Sequence, residues 1–393
     1  MKTFPSVLAL LLACTLAHAA APVVSNIRAS QRAGTKLVDI YYDVSDADGD
    51  ALTVEIQVSN DNGTTYAVPA FTFSGAVGGG VTPGANRAAV WNAGFDWDGQ
   101  YSAQTRVKVT AHDGLAPPAG MVYVPLATFS MGSNNSSYPR EQPIHNVSTE
   151  AFFMDRFEVT SALYANVRTW AASNGYSMAS GSAAGQSHPI VTISWYDTVK
   201  WCNARSQKEG LTPCYYTDTA QTNVYKAGTT DVTNAMVKWT ANGYRLPTEA
   251  EWEKAARGGS TQLNYPWGNS IANFHANYTG SGDPYEGDYP PTTPVGYYNG
   301  SQAPAGPNMA NGYGLYDMAG NVLEWCWDWY GSSYYSDPDV GSNPQGPTTG
   351  VERILRGGAW NNSSITLRCA YRNFYSRPPN LSNNFGFRCV KGL

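Results

Sequence analysis

Two acidic residues late in the chain are spaced as calcium ligands often are. Asp317 and Glu324 frame the dipeptide Gly320-Asn321 in a stretch with no helical or strand period. Hard oxygen ligands on an irregular loop suit Ca²⁺, so this segment is a candidate metal loop. The alternative interpretation is that both carboxylates accept hydrogen bonds from loop amides. The residues alone leave both interpretations open.

The C-terminal tail, from Arg356 to Cys389, is rich in aromatic, asparagine and arginine residues. Aromatic platforms beside Asn and Arg suit sugars, peptides or anionic groups, so the tail is a candidate ligand-binding surface. The competing interpretation is that these side chains pack a loop-rich core. The candidates are Trp360, Asn361, Asn362, Tyr371, Arg372, Asn373, Phe374, Tyr375 and Arg377.

The cysteines and histidines suggest no catalytic residue. Six cysteines are present, and the five that follow Cys14 leave at least one unpaired. None lies in a Cys-x-x-Cys pair, so a zinc site or redox motif is not expected. The histidines after the N-terminus are widely scattered, which is typical of ordinary hydrogen-bonding residues.

The N-terminus predicts export from the cytoplasm. Lys2 precedes the apolar run 7–16 and then Ala17-His18-Ala19-Ala20, so residues 1–20 are predicted to be a signal peptide. The alternative is lipoprotein processing at Cys14. The apolar run is too short to span a bilayer, and no other segment is long and apolar enough. The expected location is secreted, periplasmic or in the cell envelope, where the cysteines should mostly pair.

Composition excludes some partners. Charged residues make up 14%, aromatics 13%, and Gly and Pro number 39 and 24, which is typical of a loop-rich extracellular protein. The net charge is -5 and no basic run occurs, so nucleic-acid binding is not expected.

Residues 21–113 are predicted to form an all-β sandwich. Alternating apolar residues mark strands at 37–44, 52–58 and 106–111, separated by turns rich in Asp, Asn and Gly. The segment resembles fibronectin type III or immunoglobulin-like modules. Asp46, Asp48 and Asp50 form either a calcium loop or a solvated turn. The simplest function for this domain is that of a spacer, joined to the rest by a linker at 114–120.

Residues 121–393 are predicted to form a second, irregular domain of mixed α and β structure. It should begin with a hairpin at 122–125 and 128–132. Three helices should follow the N-caps Thr160 or Ser161, Ser194, and Thr248, the last with the capping box Thr248-Glu249-Ala250-Glu251. After residue 260 no helix is expected.

Several motifs in this domain strongly resemble the formylglycine-generating enzyme family, also called sulfatase-modifying factors. They are Gly243–Glu253 (GYRLPTEAEWE), Tyr265–Asn269 (YPWGN), Asn311–Trp325 (NGYGLYDMAGNVLEW), Arg356-Gly357-Gly358 and Gly386–Cys389 (GFRC). The resemblance covers roughly residues 121–393. It implies an irregular α+β fold related to C-type lectins.

The resemblance also implies a copper site that this chain lacks. In the family's copper-dependent oxidases, two cysteines between the glycine pair and the later Arg-Cys hold the metal, because Cu(I) prefers thiolates. Residues 359–368 contain no cysteine, Asn362 stands near the first expected position, and Ala359 replaces a serine. Copper and oxidase chemistry are therefore not expected. The family's iron-dependent branch is not expected either, because the histidines are scattered.

Calcium is the cofactor that the resemblance retains. It implies one site with carboxylates from Asp317 and Glu324 and carbonyls from Gly320 and Val322. A second site would use Asn277, the carbonyl of Tyr278 and an acid from the Asp283–Asp288 loop, with Asp283 as the candidate.

The resemblance further implies a disulfide between Cys202 and Cys389. Cys369 matches half of a second disulfide whose usual partner position, just after Ala256, holds Arg257 and glycines. Cys214 or Cys326 would substitute, with Cys214 preferred.

Three functions follow. The preferred hypothesis is a calcium-stabilised module that binds a protein, peptide or glycan, since the tail also resembles the ligand-binding tails of lectin-fold variable proteins. The alternatives are a formylglycine-generating-type oxidoreductase with a non-standard metal site, and an envelope structural or adhesion protein.

Overall fold

The structure is a computed structural model, and its described residues are 22–47, 49, 51–64, 66, 68, 70, 72–112, 117–135, 137–286, 291–337 and 340–393, without the side chains of Phe95, Phe374 and Tyr375. The expected signal peptide with Cys14 lies outside them, as do Asp48 and Asp50. Among the described helices, none has both the length and the apolar character needed to cross a membrane.

Residues 22–112 form two antiparallel sheets, here called the N-terminal two-sheet domain. One sheet has the strand order β1-β2-β6-β4 and the other β5-β3-β7. Alternate residues of β2, Ile40, Tyr42 and Val44, are buried in a core shared by both sheets. The elements are β1 (Val23–Gln31), β2 (Leu37–Ser45), β3 (Leu52–Ser59), β4 (Phe73–Gly75), β5 (Gly78–Val81), β6 (Gly84–Asn92), α1 (Ala93–Asp96) and β7 (Arg106–His112).

The remaining residues are loop-rich, with short strands and three helices. The sheets have the orders β10-β9, β12-β17-β11-β8 and β15-β14-β13-β16. The elements are β8 (Met121–Val124), β9 (Ala127–Met131), β10 (His145–Thr149), β11 (Phe152–Asp155), α2 (Ser161–Ala172), α3 (Trp195–Lys208), β12 (Tyr244–Arg245), α4 (Glu249–Arg257), β13 (Leu323–Trp329), β14 (Arg353–Arg356), β15 (Asn373–Ser376), β16 (Phe385–Gly386) and β17 (Val390–Lys391).

The predicted hairpin at 122–132 is wrong. β8 pairs with β11, with Val124 opposite Phe152, whereas β9 pairs with β10 in a different sheet. Val122 and Val124 pack with Phe152 and Met154 in one buried cluster. The apolar side chains of β8 are therefore buried by a strand nearly thirty residues away in the chain rather than by their sequence neighbour.

The three predicted helix starts are present, and each uses the expected cap. The side chain of Thr160 accepts from the Leu163 amide, and Ser194 forms a capping box with Asp197. Thr248 forms a capping box with Glu251, and α4 ends at Gly258 in the left-handed conformation, with φ of 57°. Local capping chemistry therefore fixes the helix boundaries that the sequence predicts.

Among the described residues, one carboxylate of the N-terminal two-sheet domain is hydrogen-bonded to the larger domain. Glu55 of β3 is 9% exposed and accepts a hydrogen bond from the hydroxyl of Tyr123 in β8. The Leu126 amide also points to the same carboxylate oxygen, at 3.5 Å. This contact joins the β5-β3-β7 sheet to the first strand of the next domain.

Helix α4 is buried along its whole length although three of its nine residues are glutamates. Each glutamate is paired with arginine side chains, of which Arg257 belongs to α4 itself and the others to distant segments of the domain. The pairs are Glu249 with Arg372 at 2.7 and 2.8 Å, Glu251 with Arg245 at 2.6 Å, and Glu253 with Arg257 at 2.6 Å and with Arg356. We call these residues the α4 ion-pair network. It connects a central helix to the C-terminal strands and tail.

We predict that Glu253→Gln lowers the free energy of unfolding by about 3–5 kcal/mol, because it leaves buried arginines without their counter-charge. Glu253 is fully buried and binds both Arg257 and Arg356. The matched control is Glu209→Gln, whose carboxylate is 41% exposed and lies 3.4 Å from Arg205. It should cost less than about 1 kcal/mol. Urea unfolding followed by tryptophan fluorescence measures the free energy of unfolding of both variants. Equal losses in the two variants would contradict the conclusion that the network stabilises the domain.

Candidate functional site

The loop from Asp317 to Glu324 is held in an unusual backbone shape. Asp317, Gly320 and Asn321 all have positive φ, of 58°, 90° and 60°. A Cβ on Gly320 would lie 2.3 Å from the carbonyl oxygen of Asn277, so only glycine fits there. The Asn321 amide donates to that same carbonyl at 2.9 Å. The loops that carry the two expected calcium sites are therefore in direct contact.

The two carboxylates that frame this loop differ in their surroundings. Asp317 is partly buried and accepts from the Gly296 amide at 2.6 Å. Glu324 is fully buried and accepts from Arg388 at 2.7 and 2.8 Å and from the Trp252 indole at 2.7 Å. Both oxygens of Glu324 are thus occupied by protein donors. Of the two, Asp317 is the less committed to the protein.

A third carboxylate, Glu158, belongs to the same cluster and is missing from the sequence prediction. It is 2% exposed and accepts from the Asn321 side chain at 2.8 Å and from the Val322 amide at 3.2 Å. Burial, with the negative charges of Asp317 and Glu324, holds the pKa of Glu158 well above its ordinary value. The sequence places this acidic residue between two apolar ones, Phe157 and Val159, and that was the signal by which it could have been identified.

The pKa of Asp317 is raised to about 6, mainly by burial. Arg388 forms an ion pair with Glu324, and its positive charge also lowers the pKa values of Asp317 and Glu158, against the larger effect of burial. The cluster formed by Glu158, Asp317, Glu324 and Arg388 is called the acidic cluster below.

In the second expected calcium loop, the polar groups of the candidate ligands already have hydrogen-bond partners in the protein. Asp283 accepts from the Ser281 hydroxyl at 2.6 Å, the Tyr298 hydroxyl at 3.0 Å and the Tyr285 amide at 2.9 Å. The carbonyl of Tyr278 accepts from the Ser281 amide, and the Asn277 side chain donates to the Pro291 carbonyl at 2.8 Å. Asp288 lies outside the described residues. The candidate ligands here already brace the loop.

Residues 359–362, where the family resemblance predicts a copper-binding thiol, form a turn that is closed by two hydrogen bonds. The amide of Ala359 donates to the Asn362 side-chain oxygen at 3.1 Å, and the Asn362 amide returns a bond to the Ala359 carbonyl at 2.9 Å. A Cβ on Gly358 would lie 2.6 Å from Leu367, which presses this turn against the short helical turn that follows. Asn362 therefore braces the backbone at the position where a metal ligand was expected.

All five cysteines of the described chain are buried thiols. The sulfurs of Cys202 and Cys389 lie 3.6 Å apart. Cys214 lies in the same buried cluster as Cys202, whereas Cys369 lies in another cluster with Cys326. The structure thus brings the first expected pair together and does not bring Cys214 to Cys369. Burial raises the pKa of Cys214 to about 12 and that of Cys369 to about 11.

The structure corrects the expected binding surface at Arg372. This side chain is 3% exposed, and both its ion-pair bonds go to Glu249, so it is not available to a ligand. Sequence alone could not distinguish it from Arg377, which is exposed. Tyr371 and Asn373 are partly buried, and the side chains of Phe374 and Tyr375 lie outside the description.

The turn at 359–362 reaches the surface at Asn361, which is exposed and accepts from the Asn384 side-chain amide at 2.8 Å. Trp360 is partly buried against the core, and its indole donates to the Asn383 carbonyl at 3.4 Å. Leu381, on the loop that carries Asn383, is 55% exposed, and Arg377, four residues before it in the chain, is also exposed. Trp360, Asn361, Arg377 and Leu381 are called the tail patch below. It combines apolar, amide and cationic groups.

Comparison with known proteins places these residues in a family. A family model described as "Sulfatase-modifying factor enzyme 1-like domain" matches residues 106–393. The formylglycine-generating enzyme of Thermomonospora curvata is 32% identical over 298 residues, covering 69% of this chain and 93% of the enzyme. The serine/threonine-protein kinase pkn1 of Chlamydia caviae is 35% identical over 274 residues, but the chain spans 38% of the kinase's length.

A solved structure has the same fold over a similar share of the chain. Treponema denticola variable protein 1 is 30% identical, with a TM-score of 0.52, and the match covers 70% of this chain and 95% of that protein. The residues matched by the family model leave out the N-terminal two-sheet domain except for β7.

We predict that Cys202 and Cys389 form a disulfide in the exported protein, because their sulfurs already lie within contact distance in the core. Peptide mapping by mass spectrometry without reductant should recover the two peptides linked. Recovery of both as alkylated free thiols from oxidised, folded protein would contradict the prediction.

Proposed function

Because the chain belongs to the sulfatase-modifying factor family, we propose that it is an exported, calcium-stabilised binding protein on that scaffold, without a copper oxidase site. The observation that carries this proposal is the lack of any thiol from Ala359 to Arg368. The turn there is closed by Asn362, whose side chain already has a backbone partner.

The other cysteines do not supply a replacement copper site. The five described cysteines are buried in two separate core clusters, with Cys202, Cys214 and Cys389 in one and Cys326 and Cys369 in the other. Copper(I) prefers thiolate ligands, and an incoming ion would have to enter the packed core to reach these sulfurs. The family frame is therefore retained without the ligands of the oxidase reaction.

The tail patch is the proposed recognition surface. Trp360 and Leu381 contribute apolar area, Asn361 a donor and an acceptor, and Arg377 a positive charge. Hydrogen bonds from Asn384 and to the Asn383 carbonyl hold Asn361 and Trp360 in place, which lowers the entropy lost on binding. A protein, peptide or glycan is the proposed ligand class.

Calcium is the proposed structural cofactor, and the charge of the acidic cluster supports it. Burial and mutual repulsion raise the pKa values of Glu158 and Asp317 although Arg388 opposes the shift, so a divalent cation would stabilise the ionised forms of these carboxyls. Asp317 and the carbonyls of Gly320 and Val322 would hold the ion, and Glu324 would join them only by exchanging its hydrogen bonds from Arg388 and Trp252 for the cation. The bound cation would supply charge balance and rigidity to the loop.

The alternative function is that of a formylglycine-generating-type oxidoreductase with a non-standard metal site. The similarity to the Thermomonospora enzyme, over 93% of that enzyme's length, favours it. Such an enzyme would convert a cysteine in an exported protein and would need a metal.

We predict no aldehyde formation on a Cys-x-Pro-x-Arg peptide incubated with the protein and copper. Mass spectrometry with hydrazide trapping detects the product, and the Thermomonospora enzyme serves as positive control. Copper-dependent formylglycine that disappears on adding a chelator would refute the binding-only proposal.

We predict that saturating Ca²⁺ raises the Tm by about 5–10 °C relative to EGTA, as expected for a ligand that binds only the folded state. Asp317→Asn should remove this difference, because it removes the carboxylate least committed to the protein. In the same assay, Asp283→Asn tests whether the second expected calcium loop contributes to the Tm difference. Mg²⁺ at equal ionic strength controls for general screening of charges by a divalent salt. Identical Tm values in Ca²⁺ and EGTA would reject the calcium proposal.

A further inference from the structure

A large groove lies on the N-terminal two-sheet domain, away from the tail patch. It has a volume of about 650 Å³ and is bordered by the edge strands β1 and β7 and by the segment that follows β6. Ligand sites in proteins usually have volumes of about 300–1,000 Å³. The groove is therefore large enough for a ligand of several rings.

Aromatic residues line the groove. Trp97 is partly buried and stacks on Trp91, a core residue that is 2% exposed, with ring centroids 6.4 Å apart and planes 24° apart. The carboxylate of Asp96 accepts from the Trp91 indole at 2.7 Å and from the Thr72 hydroxyl at 2.6 Å, which fixes the ring. Tyr101, on the rim, is 89% exposed. A fully exposed aromatic beside a groove is typical of a binding surface rather than of a spacer.

Most polar residues of the groove are uncharged or paired with each other. Lys36 and Asp98 both line it and form an ion pair, so their charges cancel locally. Arg106 also lines the groove, and its guanidinium donates to the Thr105 carbonyl at 2.8 Å. The other polar groups include the amides of Gln31 and Gln100 and the hydroxyl of Thr105. Amides and hydroxyls both donate and accept, as do the hydroxyls of a sugar.

We propose that this groove binds a neutral oligosaccharide. Tyr101 and Trp97 would stack against the apolar faces of sugar rings, and the amide and hydroxyl side chains would bind the ring hydroxyls. A polyproline peptide would also stack on aromatic rings, but it offers only carbonyl acceptors. The carbonyl oxygens of the glutamine side-chain amides would then have no donor to bind. This proposal concerns a different domain from the tail patch and does not depend on the function of that patch.

The test is affinity electrophoresis of the mature full-length chain in gels that contain hydroxyethylcellulose, xyloglucan, galactomannan, laminarin or dextran. We expect at least one neutral polymer to retard the protein. Tyr101→Ala should weaken that retardation by about tenfold, and Tyr101→Trp should preserve it. Tyr101 is exposed, so its removal should leave the fold intact, which circular dichroism verifies.

The matched control is Tyr41→Ala, since Tyr41 is 40% exposed in the same domain and does not line the groove. It should bind as the wild type does. The proposal is overturned if no polymer retards the protein or if Tyr101→Ala and Tyr41→Ala behave alike. It is equally overturned if only polygalacturonate or a decaproline peptide binds.

Discussion

The α4 ion-pair network is the constraint on which the larger domain depends. Burying a charge is costly unless a partner of opposite sign is held in good geometry, and here three glutamates of one short helix are buried together. Their arginines come from β12, from α4 itself, from β14 and from the tail. A domain with few regular elements therefore acquires a defined arrangement, because only one placement of the tail neutralises the helix.

The same constraint limits what the site can do. Arg372 and Glu324 look like ligand-binding or metal-binding residues by type, yet Glu249 occupies the first and Arg388 the second. Ligand or metal binding therefore depends on residues outside these ion pairs. Asp317 and Glu158 are carboxyls with raised pKa values, and Trp360, Asn361 and Arg377 reach the surface. Residues 359–368, where the family resemblance predicts copper-binding thiols, contain no cysteine.

The sequence predicted the parts of the molecule that are set by local chemistry. The caps at Thr160, Ser194 and Thr248 depend on neighbouring residues, and so the helix starts were correct. The motifs from Gly243 to Cys389 identified the family for the same reason, because each is a short contiguous pattern.

Features that depend on distant contacts were not predictable from the sequence. β8 pairs with β11 rather than with β9, and nothing in its own residues indicates that choice. Arg372 and Arg377 are similar in sequence context, but only the first meets Glu249, more than a hundred residues earlier. Glu158 was missed because its partners, Asn321 and Val322, lie in another loop.

The most direct test of the account is the metal content of the mature protein, expressed with both calcium and copper supplied and purified without chelators. Mass spectrometry of the digested protein should find calcium in stoichiometric amount and copper only in trace, because the carboxylates remain and the thiol pair does not. Stoichiometric copper or iron would contradict the central claim that the scaffold has lost its oxidase site.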